Sequence, residues 1–365
     1  MRYCNKCVTP DTRPSVTLDN EGVCNLCRAA EDKHDGIDWH AKAQELEEIL
    51  SQYRGSNGNG YDCLIPASGG KDSTWQLLTI MKLGLRPLIY HFSTCPMTDQ
   101  GKKNFDNFVD LGVDVVHHIP NPKVYSHLMR QAFVETGNHC LFCNFGIFAG
   151  AVQVAINYGI KLIVFGEGGS EFGVKDGKYY DSGDLSFLDQ GKKPQDFIDA
   201  EVSEADLTIF NYPTRDEIQT AGVRQICLGN YVKYDLPSQL KLVKDNGFQP
   251  HDGPWLGTYV NHSDLDCPFF GIHGYLMNLK FGYGRANADA SKEVRNGTIS
   301  REKAVELANQ YDGGIHSPLE KQYLRQFLDY TDLSEQEFHA AAEKFRNNDI
   351  WERSGNCWSK KAELK

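Results

Sequence analysis

The stretch that most narrows the fold is Leu64–Ser73, LIPASGGKDS. A short apolar run enters a turn with two adjacent glycines, and TWQLLTIMKLG then follows with the apolar spacing of a helix. The alternation continues through RPLIYHFS, KKNFDNFVDLG and VDVVHHIP, and later through IFAGAVQVAINYG, KLIVFGE and VRQICLGN. Apolar strands alternating with amphipathic helices predict an α/β fold, a parallel sheet covered on both faces. Ligands of such sheets sit beyond the carboxyl ends of the strands. The turn at 68–73 is therefore the first candidate site.

Its residues suit an anion. At a helix N-terminus the unpaired backbone N–H groups and the positive end of the dipole attract negative charge. Gly69 and Gly70 let the backbone approach a phosphate, Ser68 and Ser73 add hydroxyl donors, and Lys71 adds a point charge. Asp72 is placed to orient a donor or a Mg2+ ion. The spacing is neither G-x-x-x-x-G-K-[ST] nor G-x-G-x-x-G. Gly-Gly turns between strand and helix are also commonly structural, so the turn alone leaves both readings open.

The cysteines form a second constellation. Cys4, Cys7, Cys24 and Cys27 make C-x2-C-x16-C-x2-C in a segment with little apolar periodicity. That spacing predicts a structural Zn2+ held by four thiolates, a closed site with no catalytic position. A third pair, Cys140 and Cys143, stands at a helix entrance inside the α/β region. Packed thiols, a metal or iron–sulfur site completed remotely by a residue such as Cys227, and a redox pair all remain open for it.

Lys+Arg 38 against Asp+Glu 49 gives a net charge of −11, which disfavours nucleic acid as a partner. The most apolar region, Phe145 to Gly166, is interrupted by Gln153, Asn157 and Lys161, and reads as a buried helix and strand rather than a membrane span. The beginning, MRYCNKCVTP, has no apolar signal core, which predicts a cytoplasmic protein. We expect three parts: residues 1–54, a zinc ribbon with a linking helix; 55–250, the α/β domain; and 251–365, a mostly helical domain.

Other polar residues are less decisive. Glu167, just past a strand end, suits Mg2+ or a substrate amide, with helix capping as the alternative. His117 and His118 read as structural, and His251, His262 and His273 make no metal-ligand spacing. Lys280 to Gly297 reads first as a solvated helix connection, although Lys280, Arg285 and Arg295 beside glycines also suit a phosphate or carboxylate.

SGGKDS resembles the SGG-x-DS signature of the PP-loop (adenine nucleotide alpha hydrolase-like) ATP pyrophosphatases, which cleave ATP between its α- and β-phosphates. That resemblance assigns Ser68, Gly69, Gly70, Lys71, Asp72 and Ser73 to the nucleotide, gives Lys71 and Asp72 catalytic roles, and brings adenine near Phe92. Four blocks extend the likeness: MRYCNKCVTPDTRPSVTLDNEGVCNLC, YDCLIPASGGKDS, PNPKVYSHLMRQAF and FGYGRANADASKEVRNGTISREKAVEL. With them the whole chain resembles the N-acetyl sugar amidotransferases of bacterial surface-polysaccharide and flagellin-glycan biosynthesis.

The resemblance implies conversion of a sugar acetamido group to acetamidino through an O-adenylyl imidate, with ATP, Mg2+ and structural Zn2+, the sugar being nucleotide-linked. The sequence has no G-x-C-x-G nucleophile elbow, and Arg2 follows Met1. Ammonia is therefore expected from a separate glutaminase subunit. The competing enzyme reading is a PP-loop tRNA thiolase with an iron–sulfur cluster, against which the acidic charge counts. A non-catalytic zinc-ribbon binding module is a third.

Overall fold

We describe a computed structural model giving residues 1–56, 60–93, 96–166, 191–233, 235–355 and 357–365, with the backbone alone for 32–35. Five parallel strands form the central sheet: β1 (Cys63–Pro66), β2 (Pro87–Phe92), β3 (Asp114–His118), β4 (Leu162–Phe165) and β5 (Arg224–Cys227). Their order is β3-β2-β1-β4-β5. Leu64 pairs with Leu88 on one side and Ile163 on the other. The chain thus winds outward from β1 in one direction and from β4 in the other. The crevice between the ends of β1 and β4 is the topological switch point, where α/β sheets bind ligands.

Thirteen helices are described. The N-terminal part holds α1 (Asn25–Asp35) and α2 (Trp39–Ser51). The sheet region holds α3 (Lys71–Lys82), α4 (Asp99–Asp110), α5 (Pro122–Thr136), α6 (Leu141–Asn157), α7 (Arg215–Ala221) and α8 (Leu236–Asp245). After these come α9 (Phe270–Phe281), α10 (Arg285–Arg295), α11 (Arg301–Tyr311), α12 (Pro318–Thr331) and α13 (Glu335–Glu343). A short antiparallel hairpin, β6 (Trp351–Ser354) and β7 (Cys357–Lys360), ends the mostly helical part.

Side-chain alternation along the strands divides the core. Leu64, Leu88, Tyr90, Phe92 and Ile163 face α5 and α6, in a layer that continues to Phe269, Phe327 and Phe338 of the C-terminal helices. Cys63, Ile65, Ile89 and Val164 face the other way, toward Leu50 of α2, Leu77 and Ile80 of α3, and Val243 of α8. Phe133 of α5 stacks on Phe338 at 5.0 Å and meets Phe327 edge-on at 5.6 Å, so the C-terminal helices share the core of the sheet. The apolar helix expected within 145–166 is α6, buried in this layer. No helix among the described residues is long and apolar enough to cross a membrane.

The N-terminal module has a small core of its own, the four cysteines with Val16, Val23 and Leu26, against which Val294 of α10 packs. Hydrogen bonds extend the contact: Asn287 Nδ2 donates to the Val8 carbonyl at 2.8 Å and Thr12 Oγ1 to that of Phe281 at 2.6 Å.

Candidate active site and metal centre

The turn after β1 is built as an open anion cradle. Gly69 lies at φ +88°, and a Cβ there would stand 2.8 Å from the Phe105 backbone nitrogen. Only glycine fits that approach of α4. Gly70 is the N-cap of α3 and no side chain caps the helix, so the N–H groups of its first turn face outward. Lys71 Nζ donates to Asp72 Oδ2 at 2.6 Å, and Ser73 Oγ to the Gly70 carbonyl at 3.1 Å. Burial works to raise the Asp72 carboxyl, but Lys71 and then Lys292 outweigh it and hold it below the usual aspartate value.

The turn opens into a cavity of about 600 Å3 at the switch point, which Gly166 at the end of β4 also borders. Of the six residues of the turn, Ser68, Gly70, Lys71, Asp72 and Ser73 line it. Phe92 borders it too, but its ring is taken up by packing on Tyr125 and Phe210, at 5.8 and 5.9 Å. Beside it His91 is buried and its imidazole is pushed down to about 3 by burial and then by His117, which keeps it neutral.

The C-terminal part supplies the facing wall. Arg285 pairs with Asp264 at 2.9 Å and Asp289 at 3.0 Å and lies over the Phe270 ring. His262, Asp264, Asp266 and Lys292 join it in the lining. Burial and then Lys71 lower the His262 imidazole to about 4. Burial and then Asp264 raise the Asp266 carboxyl to about 7. Asp264 itself sits at φ +54°, a strained backbone position for a residue with a side chain. The segment HSDLDC thus brings three titratable groups to the cleft. Their i, i+2, i+4 spacing in a loop was the available sequence signal.

One expected site residue falls elsewhere, and another is not described. Lys280 does not reach the cavity: its ammonium donates to the Thr136 carbonyl at 2.7 Å and lies over the Phe345 ring, tying the end of α9 to the end of α5. Glu167 lies outside the described residues. The connection expected at 280–297 is largely the helix α10, one face of which is buried at Ala286, Asn287, Ala290 and Ser291.

The four N-terminal cysteines come together as expected, all buried, with their sulfurs within 4.8 Å of one another. Cys4 and Cys27 sulfurs are 3.9 Å apart and Cys7 and Cys24 3.8 Å, close to the ~3.8 Å edge of a tetrahedron with metal–sulfur bonds of about 2.3 Å. Backbone N–H groups of Lys6, Cys7, Thr9 and Cys27 point at these sulfurs. Hydrogen bonds from Cys24 and Cys27 pull the Cys4 thiol down to about 6 and lower Cys7, while Cys24 and Cys27 are pushed up. Four sulfurs this close cannot all ionise alone, and a soft divalent cation resolves the conflict.

Among the described residues no other such group of His, Cys, Asp or Glu is ready for a metal. Cys140 and Cys143 are partly accessible thiols pushed well above the ordinary value by burial, and the third cysteine whose field reaches both is Cys267.

Residues 256–365 match the family model of the LPS biosynthesis protein WbpG-like, C-terminal domain. The C-terminal third is thus similar to that domain. This WbpG-like part contains α10 and the HSDLDC loop, the wall that faces the turn at 68–73. No curated protein matches the sequence. Among solved structures the chain is similar to NMN synthetase from Francisella tularensis, at 13% identity over 83% of this chain and 96% of that one, with a TM-score of 0.32. The fold itself is read from the strand order and the β1–α3 turn.

Proposed function

We propose that the protein is an ATP-dependent, AMP-forming amidotransferase of bacterial surface-glycan biosynthesis, which converts the acetamido group of a sugar to acetamidino. One observation carries this reading: the anion-ready turn of Ser68–Ser73 opens into the same cavity as α10 of the WbpG-like domain.

The acetamido oxygen attacks the α-phosphorus of ATP, the bond to the β-phosphate breaks, and pyrophosphate leaves an O-adenylyl imidate. Ammonia adds to the imidate carbon, loses a proton, and AMP departs with its oxygen. Lys71 and the first-turn N–H groups of α3 hold the pyrophosphate oxygens. Asp72, kept ionised by its cations, is the carboxylate for Mg2+, which neutralises phosphate charge when bound. Asp266, raised to about 7, is matched to accepting the proton of the attacking ammonia near neutral pH. The four-cysteine module takes Zn2+ in a structural role, and a separate glutaminase subunit supplies the ammonia.

The test is incubation with ATP, Mg2+, ammonium and a panel of acetamido-sugar nucleotides, following AMP and sugar mass together. Sugar-dependent AMP, with the mass change of an oxygen replaced by NH, is the expected result. AMP formed only with tRNA would assign a thiolase, the reading that Cys140, Cys143 and Cys267 beside the cleft would then serve. AMP under no condition would leave a binding module.

A further inference from the structure

The loop that brings Asp266 to the cavity is held in an unfavourable shape by residues outside it. Asp264 has φ +54°, in the left-handed region where a residue with a Cβ is strained. Its carbonyl accepts from Trp255 Nε1 at 3.1 Å, and its carboxylate pairs with Arg285 Nη2 at 2.9 Å. Two residues on, the Asp266 carbonyl accepts from the Thr98 backbone N–H at 3.1 Å. A Cβ on Gly101 of α4 would collide with the Asp266 Cα, so the backbone there is packed against the helix.

Arg285 is itself aimed. Its Nε donates to both Asp289 oxygens at 3.0 Å, and its guanidinium lies over the Phe270 ring, 5.0 Å from the centre. Asp289 stands one turn along α10, where helix side chains meet, and accepts from the Thr258 hydroxyl at 2.7 Å. A planar fork bound along one edge and stacked on one face is fixed in direction. The sequence suggested an anionic ligand for Arg285, and the carboxylates it grips are the protein's own.

Asp264 and Asp266 both line the cavity. Burial raises the Asp264 carboxyl and Arg285 is the charge that most opposes this, with Asp289 of α10 and Lys71 and Asp72 of the turn also acting on it. Cys143 of α6 lies in the field of Asp266. After burial, it is Asp264 that raises the Asp266 carboxyl.

We propose that Arg285 is the positioning residue for Asp266 and acts through Asp264: the guanidinium holds Asp264 in its left-handed conformation, and that conformation sets Asp266 in the wall facing the turn at 68–73. The proton transfer to Asp266 rests on the amidotransferase reading, whereas the clamp rests on the contacts alone.

A double-mutant cycle on the full, metal-loaded chain tests this path, with acetamidino product measured at saturating ATP and sugar and at constant free ammonia. Asp264→Gly deletes the carboxylate and keeps the left-handed backbone accessible. It and Arg285→Gln are each expected to slow product formation by about tenfold. The double variant should be no slower than Asp264→Gly, because an arginine that acts through Asp264 then has nothing to hold. Losses that multiply to about a hundredfold would overturn the path. Arg285→Lys keeps the charge without the fork and should recover only part of the rate.

A readout independent of turnover is the titration of the Asp266 carboxyl by 13C NMR on aspartate-labelled protein, assigned by the signal lost in Asp266→Asn. Asp264→Asn keeps the side-chain shape and removes its charge, so the titration should move down from about 7 toward the ordinary aspartate range. Arg285→Gln should move it in the native chain and leave it in place in the Asp264→Asn background. An Asp266 titration unmoved by Asp264→Asn, or moved equally by Arg285→Gln in both backgrounds, would overturn the clamp. Failure of the amidotransferase assay in the wild-type protein would remove the proton transfer and leave this titration to decide.

Discussion

At the scale of single residues, the two glycines of the turn separate fold from function. Gly69 has a left-handed backbone, where a side chain costs roughly 1–2 kcal/mol, and α4 closes on it. Gly70 has an ordinary φ, and a Cβ there would meet only Ser68 Oγ, at 3.4 Å. Gly69→Ala should therefore lower the urea midpoint and abolish AMP formation together. Gly70→Ala should stay within about 0.5 kcal/mol of wild type and raise the KM for ATP, since its methyl group enters the anion cradle. Asp266→Asn tests the later step: ATP–pyrophosphate exchange should persist with the sugar bound, while acetamidino product falls by about 10²-fold. Exchange lost to the same degree would remove Asp266 from the proton transfer. The turn was legible in sequence because its chemistry is contiguous. His262, Asp264 and Asp266 were not, since their role comes from a fold that sets them opposite Lys71.

At the scale of elements, Lys280 shows how a residue type alone misleads. Beside glycines and Arg285 it read as a ligand for an anion, yet it joins α9 to α5. Burial lowers its ammonium from 10.5 to about 8. The unfolded chain therefore binds more protons than the folded one across that window, so this group makes stability rise from about pH 8 to 10.5. Lys280→Met should flatten that rise, measured as the wild-type minus variant difference in urea unfolding free energy, without changing the KM for ATP. The five strands were legible because buried parallel strands are continuous apolar runs between glycine-bearing turns. Helix α10 was not, because ANADASKEVR shows few large apolar residues and packs through alanine, asparagine and serine. The closing hairpin β6–β7 was missed because WERS and CWSK are mostly exposed and carry no apolar run.

At the scale of the whole molecule, the four-cysteine cluster and the cavity share the contact between the N-terminal module and α10. Structural zinc contributes on the order of 10 kcal/mol to folding small thiolate domains, while the two layers around the sheet contain none of the four cysteines. A thiol-competent chelator should therefore unfold the N-terminal module and leave most of the far-ultraviolet circular dichroism intact. Trp39 fluorescence should shift to the red as its wall of the cavity opens. Complete loss of helical signal at the same chelator concentration would show instead that the module and the sheet unfold as one unit.

The seam between the two ends of the chain has a consequence in time. Val8 and Thr12 are bonded to Asn287 and Phe281, and Arg301 reaches both the Cys4 and Lys365 carbonyls. During synthesis the cysteine module and the turn at 68–73 are made before α10, the helix that completes their shared cavity. A nascent chain therefore carries the turn at 68–73 before the wall that faces it has been made.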